Sequence, residues 1–307
     1  MISQSNSSPS NSLQITQSHS HQTQQSPPAH KQIKISSTIT IANDLPMVLI
    51  AGINVIEKMS VNLMVAKTLS QISQDLNLPL VFKASFDKAN RSRVESYRGL
   101  GIENGLEILS QIKSEFHLPI LTDVHACEQV QAVAQVADVI QIPAFLCRQT
   151  DLIKAVCETQ KPIHIKKMQM LAPEDMQYTI EKCKAFANDQ VILCERGTNF
   201  GYHQLIVDPL AFRIMKAFHH PVTFDVTHAL QLPGQNNGSS AGRGGYLEDL
   251  AKSALIQGIA GIFIEFHPKP NEALCDGQCA YPLDQAYTLL KKLKKIDDFA
   301  KTLDQLN

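Results

Sequence analysis

Neither charge sign is in excess: 28 Lys and Arg stand against 29 Asp and Glu, a formal net charge of −1 at pH 7. Such a chain has no global field to steer it onto nucleic acid or an anionic membrane surface, so neither partner is expected. No apolar run approaches the roughly 20 residues that span a bilayer, and the first residues lack the apolar core of a secretory leader. The seven cysteines, an odd number scattered from Cys127 to Cys279, fit free thiols in a reducing compartment. A cytoplasmic protein without disulfides is the expectation. A dinucleotide fingerprint is also missing, because Gly99, Gly101 and Gly105 depart from G-x-G-x-x-G spacing by one residue.

Residues 1 to 32 are dominated by Ser, Gln, His and Asn and offer almost nothing to bury, which predicts a disordered low-complexity tail. They contain no arginine, unlike an organelle transit segment. Over residues 33 to 46, Ile33, Ile35, Ile39 and Ile41 alternate with polar residues, which predicts a short β-hairpin with one buried face. From residue 47 to 307 one rhythm takes over, in which short β-rich apolar runs are each followed by a segment with helical spacing. The runs are 47–55, 80–86, 120–125, 139–144, 163–167, 191–197, 222–228 and 261–268. Alternation of this kind implies parallel strands joined by helical crossovers. Eight units predict a (β/α)8 barrel, an α/β fold of TIM type, as the catalytic domain.

The ends of these runs are unusually polar. Asn54 and Glu57 close the first. Lys83 lies in the second, which continues through Lys88, Asn90, Arg91 and Ser92. Asp123 and His125 close the third, Gln141 lies in the fourth with Arg148 beyond it, and Lys166 and Lys167 close the fifth. Glu195 and Arg196, then Asp225 and His228, then Glu265 and His267 finish the last three. A barrel carries its site at the C-terminal ends of its strands, and burying so many unpaired charges in a core would cost several kcal/mol each. A ligand pocket is the cheaper explanation. Lys83, Lys88, Arg91, Lys166 and Arg196 outnumber the nearest carboxylates, so the ligand is expected to be anionic, with phosphate and carboxylate the groups that such cations suit.

Longer motifs make the expectation specific. Residues 83–92 read KASFDKANRS, 144–152 AFLCRQTDL, 194–202 CERGTNFGY, 224–231 FDVTHALQ and 275–277 CDG. In this order they resemble the 3-deoxy-D-manno-octulosonate 8-phosphate synthases over residues 33 to 305. The resemblance implies condensation of phosphoenolpyruvate with arabinose 5-phosphate and water, toward lipopolysaccharide. It implies that Lys83, Lys88, Lys166 and Arg196 hold phosphoenolpyruvate, and that Asn90, Arg91 and Ser92 hold the sugar phosphate. Asp123, Gln141 and Glu265 join the substrate-binding set. Lys166 is the expected proton donor near the aldehyde, with His228 and Asp276 near the attacking water. Arg148 matches an arginine that reaches a neighbouring subunit's site, which implies a homo-oligomer, usually a tetramer.

That family divides by metal requirement. Metal-dependent members set a first-strand cysteine beside His, Glu and Asp, and the last three match His228, Glu265 and Asp276. Asn54 stands at the cysteine's position. A neutral amide replaces thiolate poorly toward a borderline metal, so the metal-independent branch is expected, with no metal and no cofactor. Arg93, Lys269 and the SAGRGG segment at 240–245 depart from the family's usual pattern and bear on loop closure. The competing readings are a related synthase using erythrose 4-phosphate or an unphosphorylated amino sugar, and a non-catalytic phosphosugar-binding barrel. Lys88-Ala89-Asn90-Arg91, where the erythrose enzymes carry Lys-Pro-Arg-Thr, speaks against the first.

Overall fold

The computed structural model describes residues 30–236 and 239–304. The expected tail therefore lies outside the described residues, apart from its last three. Eight strands carry the architecture: β1 (Val48–Val55), β2 (Leu80–Ser85), β3 (Ile120–Asp123), β4 (Val139–Ile142), β5 (Ile163–Lys166), β6 (Val191–Glu195), β7 (Val222–Asp225) and β8 (Gly261–His267). Each pairs in parallel with the next, and β8 pairs back onto β1, so the sheet closes into the expected (β/α)8 barrel. Every residue of the eight strands is buried, as parallel strands covered on both faces require.

Helices fill the crossovers: α1 (Met59–Leu76), α2 (Ile102–Phe116), α3 (Val130–Val136), α4 (Thr150–Glu158), α5 (Met176–Ala185), α6 (Pro209–Lys216), α7 (Leu247–Leu255) and α8 (Ala286–Asp304). Helical spacing in the sequence begins three of them near Glu128, Pro173 and Leu283, two or three residues before α3, α5 and α8 do. Cys127–Gln129, Pro173–Asp175 and Leu283–Gln285 form tighter 3-10 turns ahead of α3, α5 and α8. Such turns are a common way for a helix to begin, and helical spacing cannot tell them from the first α turn. At α6 the start is chemically marked, since the Asp208 carboxylate accepts from Leu210 N at 2.9 Å and Pro209 follows at the first helical position.

Successive strand side chains alternate between the barrel interior and the helices. The outward set, with Leu49, Phe82, Ile140, Ile165, Leu193 and Phe224 among it, packs into one core with the helices. Inside, Val48, Ile50, Val81, Leu121, Val139 and Ile192 form a second cluster. The hairpin belongs to this inner cluster. Its strands, Ile33–Lys34 and Thr40–Ile41, pair antiparallel with Ile33 opposite Ile41, and all four of its isoleucines are buried there. Asn43 secures it by donating from Nδ2 to His220 O at 2.8 Å and accepting from Val222 N at 2.9 Å. The N-terminal mouth of the barrel is thus stoppered with hydrocarbon. Where β1 and β2 cross most closely only glycine fits, because a Cβ on Gly52 would meet Lys83 O at 2.0 Å.

Candidate active site

The pleat that builds the apolar interior also builds the site, one step further along each strand. Two residues beyond Val81 is Lys83, beyond Leu121 is Asp123, beyond Val139 is Gln141, beyond His164 is Lys166, beyond Thr223 is Asp225, and beyond Phe263 is Glu265. All of these are buried. All but Glu265 line a cavity of about 400 Å3 at the C-terminal mouth, walled by the loops that follow β2, β4, β6 and β7.

Most of the expected site residues converge there. Lys83, Lys88, Asn90, Arg91 and Ser92 line the cavity together with Lys166, Arg196, His228 and Asp276. Asp123 and Gln141 complete its floor. Asn54 and Glu265 sit just beneath, joined by Asn54 Nδ2 donating to Glu265 Oε2 at 2.6 Å. Arg148 is the exception: it is exposed and does not line the cavity, and its carbonyl accepts from Lys182 Nζ at 2.8 Å.

The floor is a chain of ion pairs. Lys83 Nζ lies 3.2 Å from Glu265 Oε1 and donates to Ser85 Oγ at 3.0 Å, and that hydroxyl donates to Asp123. His125 Nε2 meets the other Asp123 oxygen at 2.9 Å. Across the cavity, Lys166 Nζ pairs with Asp225, whose Oδ2 also meets His228 Nδ1 at 2.7 Å. His228 Nε2 approaches Glu265 Oε2 at 3.7 Å, which links the two halves.

These contacts set protonation. Burial, with Lys88 adding to it, lowers the Lys83 pKa to about 8 against the opposing pull of Glu265 and Asp123. Lys88 moves the other way: burial works against its charge, but Glu265 and Asp123 raise it above the ordinary lysine range. Burial also disfavours the charged carboxylates, and the surrounding cations overcome it. His228, Lys83 and Lys88 bring Glu265 down to about 2. Asp225 is held well below the usual range by His228 and Lys166, and Asp123 by its bond to His125 and by Lys83. The carboxylates stay ionised and keep the cations in place.

Several cationic or polar atoms remain unsatisfied. Arg196 donates through Nη2 to Gln231 Oε1 at 2.9 Å and to His228 O at 3.2 Å, yet its buried Nη1 has no protein partner among the described residues. Arg91 Nη1 lies 2.7 Å from Cys275 Sγ and 3.3 Å from Asp276 Oδ1, while its buried Nε is unpartnered. His125 Nδ1 is in the same position. Buried guanidinium donors without acceptors, gathered around a cavity, are what an anionic ligand completes.

His125, Asp225, Gln169 and Gln231 also line the cavity, though the sequence assigns no role to the first two and gives no sign of the last two. The first two close strand runs and were visible by position. Gln231 stands two residues beyond the short helical turn Val226–Ala229, at the start of the short strand Gln231–Asn236, and Gln169 lies in the loop after β5, so neither closes a barrel strand. Among the described residues no group of three or more His, Cys, Asp or Glu converges as a metal site. The three ligand-type residues are otherwise engaged, His228 with Asp225, Glu265 with Lys83 and Asn54, and Asp276 with Arg91 and Gln231. No helix among the described residues is long and apolar enough to cross a membrane.

A parallel barrel whose open mouth gathers buried, incompletely partnered cations above a dry floor defines an enzyme site for phosphorylated, carboxylated substrates. The chain belongs to the DAHP synthetase I family, whose profile matches residues 21–302. Among its curated relatives, a 2-dehydro-3-deoxyphosphooctonate aldolase of Pseudomonas putida (strain GB-1) is 52% identical over 264 residues, which is 86% of this chain and 94% of that one. A protein of the same name from Pseudomonas fluorescens (strain SBW25) is 51% identical over 89% of this chain and 97% of its own. Another, from Hahella chejuensis (strain KCTC 2396), is 50% identical over 88% and 96% respectively.

Proposed function

We propose that this enzyme condenses phosphoenolpyruvate with D-arabinose 5-phosphate and water, giving 3-deoxy-D-manno-octulosonate 8-phosphate and inorganic phosphate, in lipopolysaccharide biosynthesis. The relatives' name denotes this enzyme. The observation that carries the reading is the convergence of Lys83, Lys88, Arg91, Lys166 and Arg196 on one cavity, more positive charge than a single phosphate needs.

In the reaction C3 of phosphoenolpyruvate bonds to the sugar's aldehyde carbon, whose oxygen takes up a proton. Water oxygen bonds to C2 and releases a proton, and the C2–O bond breaks so that phosphate leaves with the electron pair. Lys83, Lys88, Lys166 and Arg196 hold phosphoenolpyruvate, and Asn90, Arg91 and Ser92 hold the sugar phosphate. Much of the acceleration is positioning of the two carbons within the cavity. Cations fixed in advance then stabilise the alkoxide and the departing phosphate. Lys166 supplies the proton to the aldehyde oxygen, while His228 and Asp276 receive the one that water loses. Asp225 touches both Lys166 and His228, so one carboxylate keeps the donating and accepting sides in register.

The enzyme is placed in the metal-independent branch, a reading supported by Asn54. Its amide donates to Glu265 at 2.6 Å, a bond that a thiolate in its place would not make. Turnover unchanged after exhaustive chelation is expected, whereas loss restored by added divalent metal would reverse the placement. The exposed Arg148 supports a homotetramer in which it completes a neighbour's cavity, and the free cysteines support a cytoplasmic location. The deciding assay is phosphate release with each substrate alone and with both. Release is expected only with both, and equal release with erythrose 4-phosphate in place of arabinose 5-phosphate would overturn the substrate assignment.

A further inference from the structure

Phe263 is an inner residue of β8, 1% exposed, and it packs with the apolar plug below it. Its ring is also the apolar surface against which the site's charges rest. Lys166 Nζ lies 3.6 Å from the ring centroid and Lys83 Nζ 5.3 Å. His164 stacks on the ring at 6.2 Å with an interplanar angle of 12°, and His228 lies tilted at 6.0 Å. Phe263 itself does not line the cavity. Strands β2 and β5, with the turn that follows β7, thus bring two lysines and two histidines to one ring on β8.

An aromatic face attracts an ammonium through its quadrupole but accepts no directed hydrogen bond. An ammonium has three N–H donors. That of Lys166 gives one to Asp225, while the ring balances its charge from the side without taking a donor away. The remaining donors are left to the cavity that Lys166 lines. A branched aliphatic residue at this depth would exclude water equally well, yet it would offer nothing to the positive charge in exchange.

We infer that Phe263 is a positioning residue for the condensation: its π face holds the Lys166 ammonium, with that of Lys83 behind it, at the height where both meet phosphoenolpyruvate. The inference rests on the roles given above to Lys166 and Lys83. It acts through those lysines and touches no substrate.

The test replaces Phe263 with progressively fluorinated phenylalanines, which drain electron density from the ring face at nearly constant volume. Phosphoenolpyruvate affinity by calorimetry and kcat by phosphate release are read beside Tm. Affinity and kcat should fall stepwise, to roughly tenfold at full fluorination, while Tm stays level. The same series at Phe212, which is buried edge-on against Phe224 with centroids 5.4 Å apart, should leave both unchanged. A flat series at Phe263, or an equal loss at Phe212, overturns the inference. Calorimetry keeps it testable should the substrate assignment for the sugar fail. A Lys166→Ala enzyme with wild-type single-turnover chemistry and affinity would remove the role of Lys166 and this inference together. Dependence on Lys166 with a flat fluorine series would remove the ring's role alone.

Discussion

The two mouths of this barrel are lined by the same eight strands and differ by one step of the pleat. At the N-terminal mouth Val48, Ile50, Val81, Leu121 and Val139 pack under the four isoleucines of the hairpin. One residue pair further on, the interior holds Lys83, Asp123, Lys166, Asp225 and Glu265. The lower end is therefore the reason the upper end is electrostatically strong. With water shut out from below, ion pairs such as Lys83–Glu265 lie in a medium where charges act over each other with far less screening than at a surface. Apolar packing fills the interior at one mouth and charge fills it at the other, and Phe263 belongs to both.

That division is broken most directly by exchanging a charge for hydrocarbon at the upper mouth. Lys83→Met keeps the length of the side chain but removes the ammonium that lies 3.2 Å from Glu265 Oε1. We expect kcat/KM for phosphoenolpyruvate to fall by roughly 10²–10³-fold. A fall below threefold in steady-state kinetics would show that the lysine is structural. The complementary change is Ile41→Ala, at a residue with 0% exposure in the plug. It should cost about 2–4 kcal/mol in denaturant unfolding and leave kcat near wild type. A large loss of kcat at unchanged stability would mean the two mouths are not separable.

The smallest effect is a pH dependence. Lys83 carries its proton below about pH 8 and loses it above, so kcat/KM for phosphoenolpyruvate should decline above that point, by up to about tenfold per unit. Lys83→Arg should move this limb upward, and a pH profile that is the same in both proteins would assign it to another group. The linked stability term has the opposite sense. Burial lowers this pKa from 10.5, so between about pH 8 and 10.5 the unfolded chain holds the proton and the folded chain does not. Within that window this group's contribution to stability rises with pH. Asp123, Asp225 and Glu265 shift the other way. Their contribution is complete above the unfolded carboxylate range and is lost only as pH falls through their depressed values.

Much of this was legible along the chain. Eight apolar runs with helical spacing between them specify a closed parallel barrel, because no other arrangement of that alternation buries eight two-faced strands so simply. The charged residues at the run ends specify its open mouth. The short 3-10 turns before α3, α5 and α8 were not legible, since a periodic apolar pattern is the same for both geometries over one turn. Gln169 and Gln231 were not legible either, because they come from connecting loops whose path no periodicity records.

Sequence alone determined the barrel, the polar strand ends and the anionic character of the ligand, because each depends on order and residue type along one chain. Tertiary structure decided which charges meet. Lys83 finds Glu265 across 182 positions, and Lys166 finds Asp225 across 59, through the closure of β8 onto β1 and the tilt of the strands between. It also decided that Phe263, an ordinary apolar residue in its strand, lies beneath two ammonium groups. The physical reason is that protonation and affinity depend on distances through a dry interior, and those distances exist only once the sheet has closed.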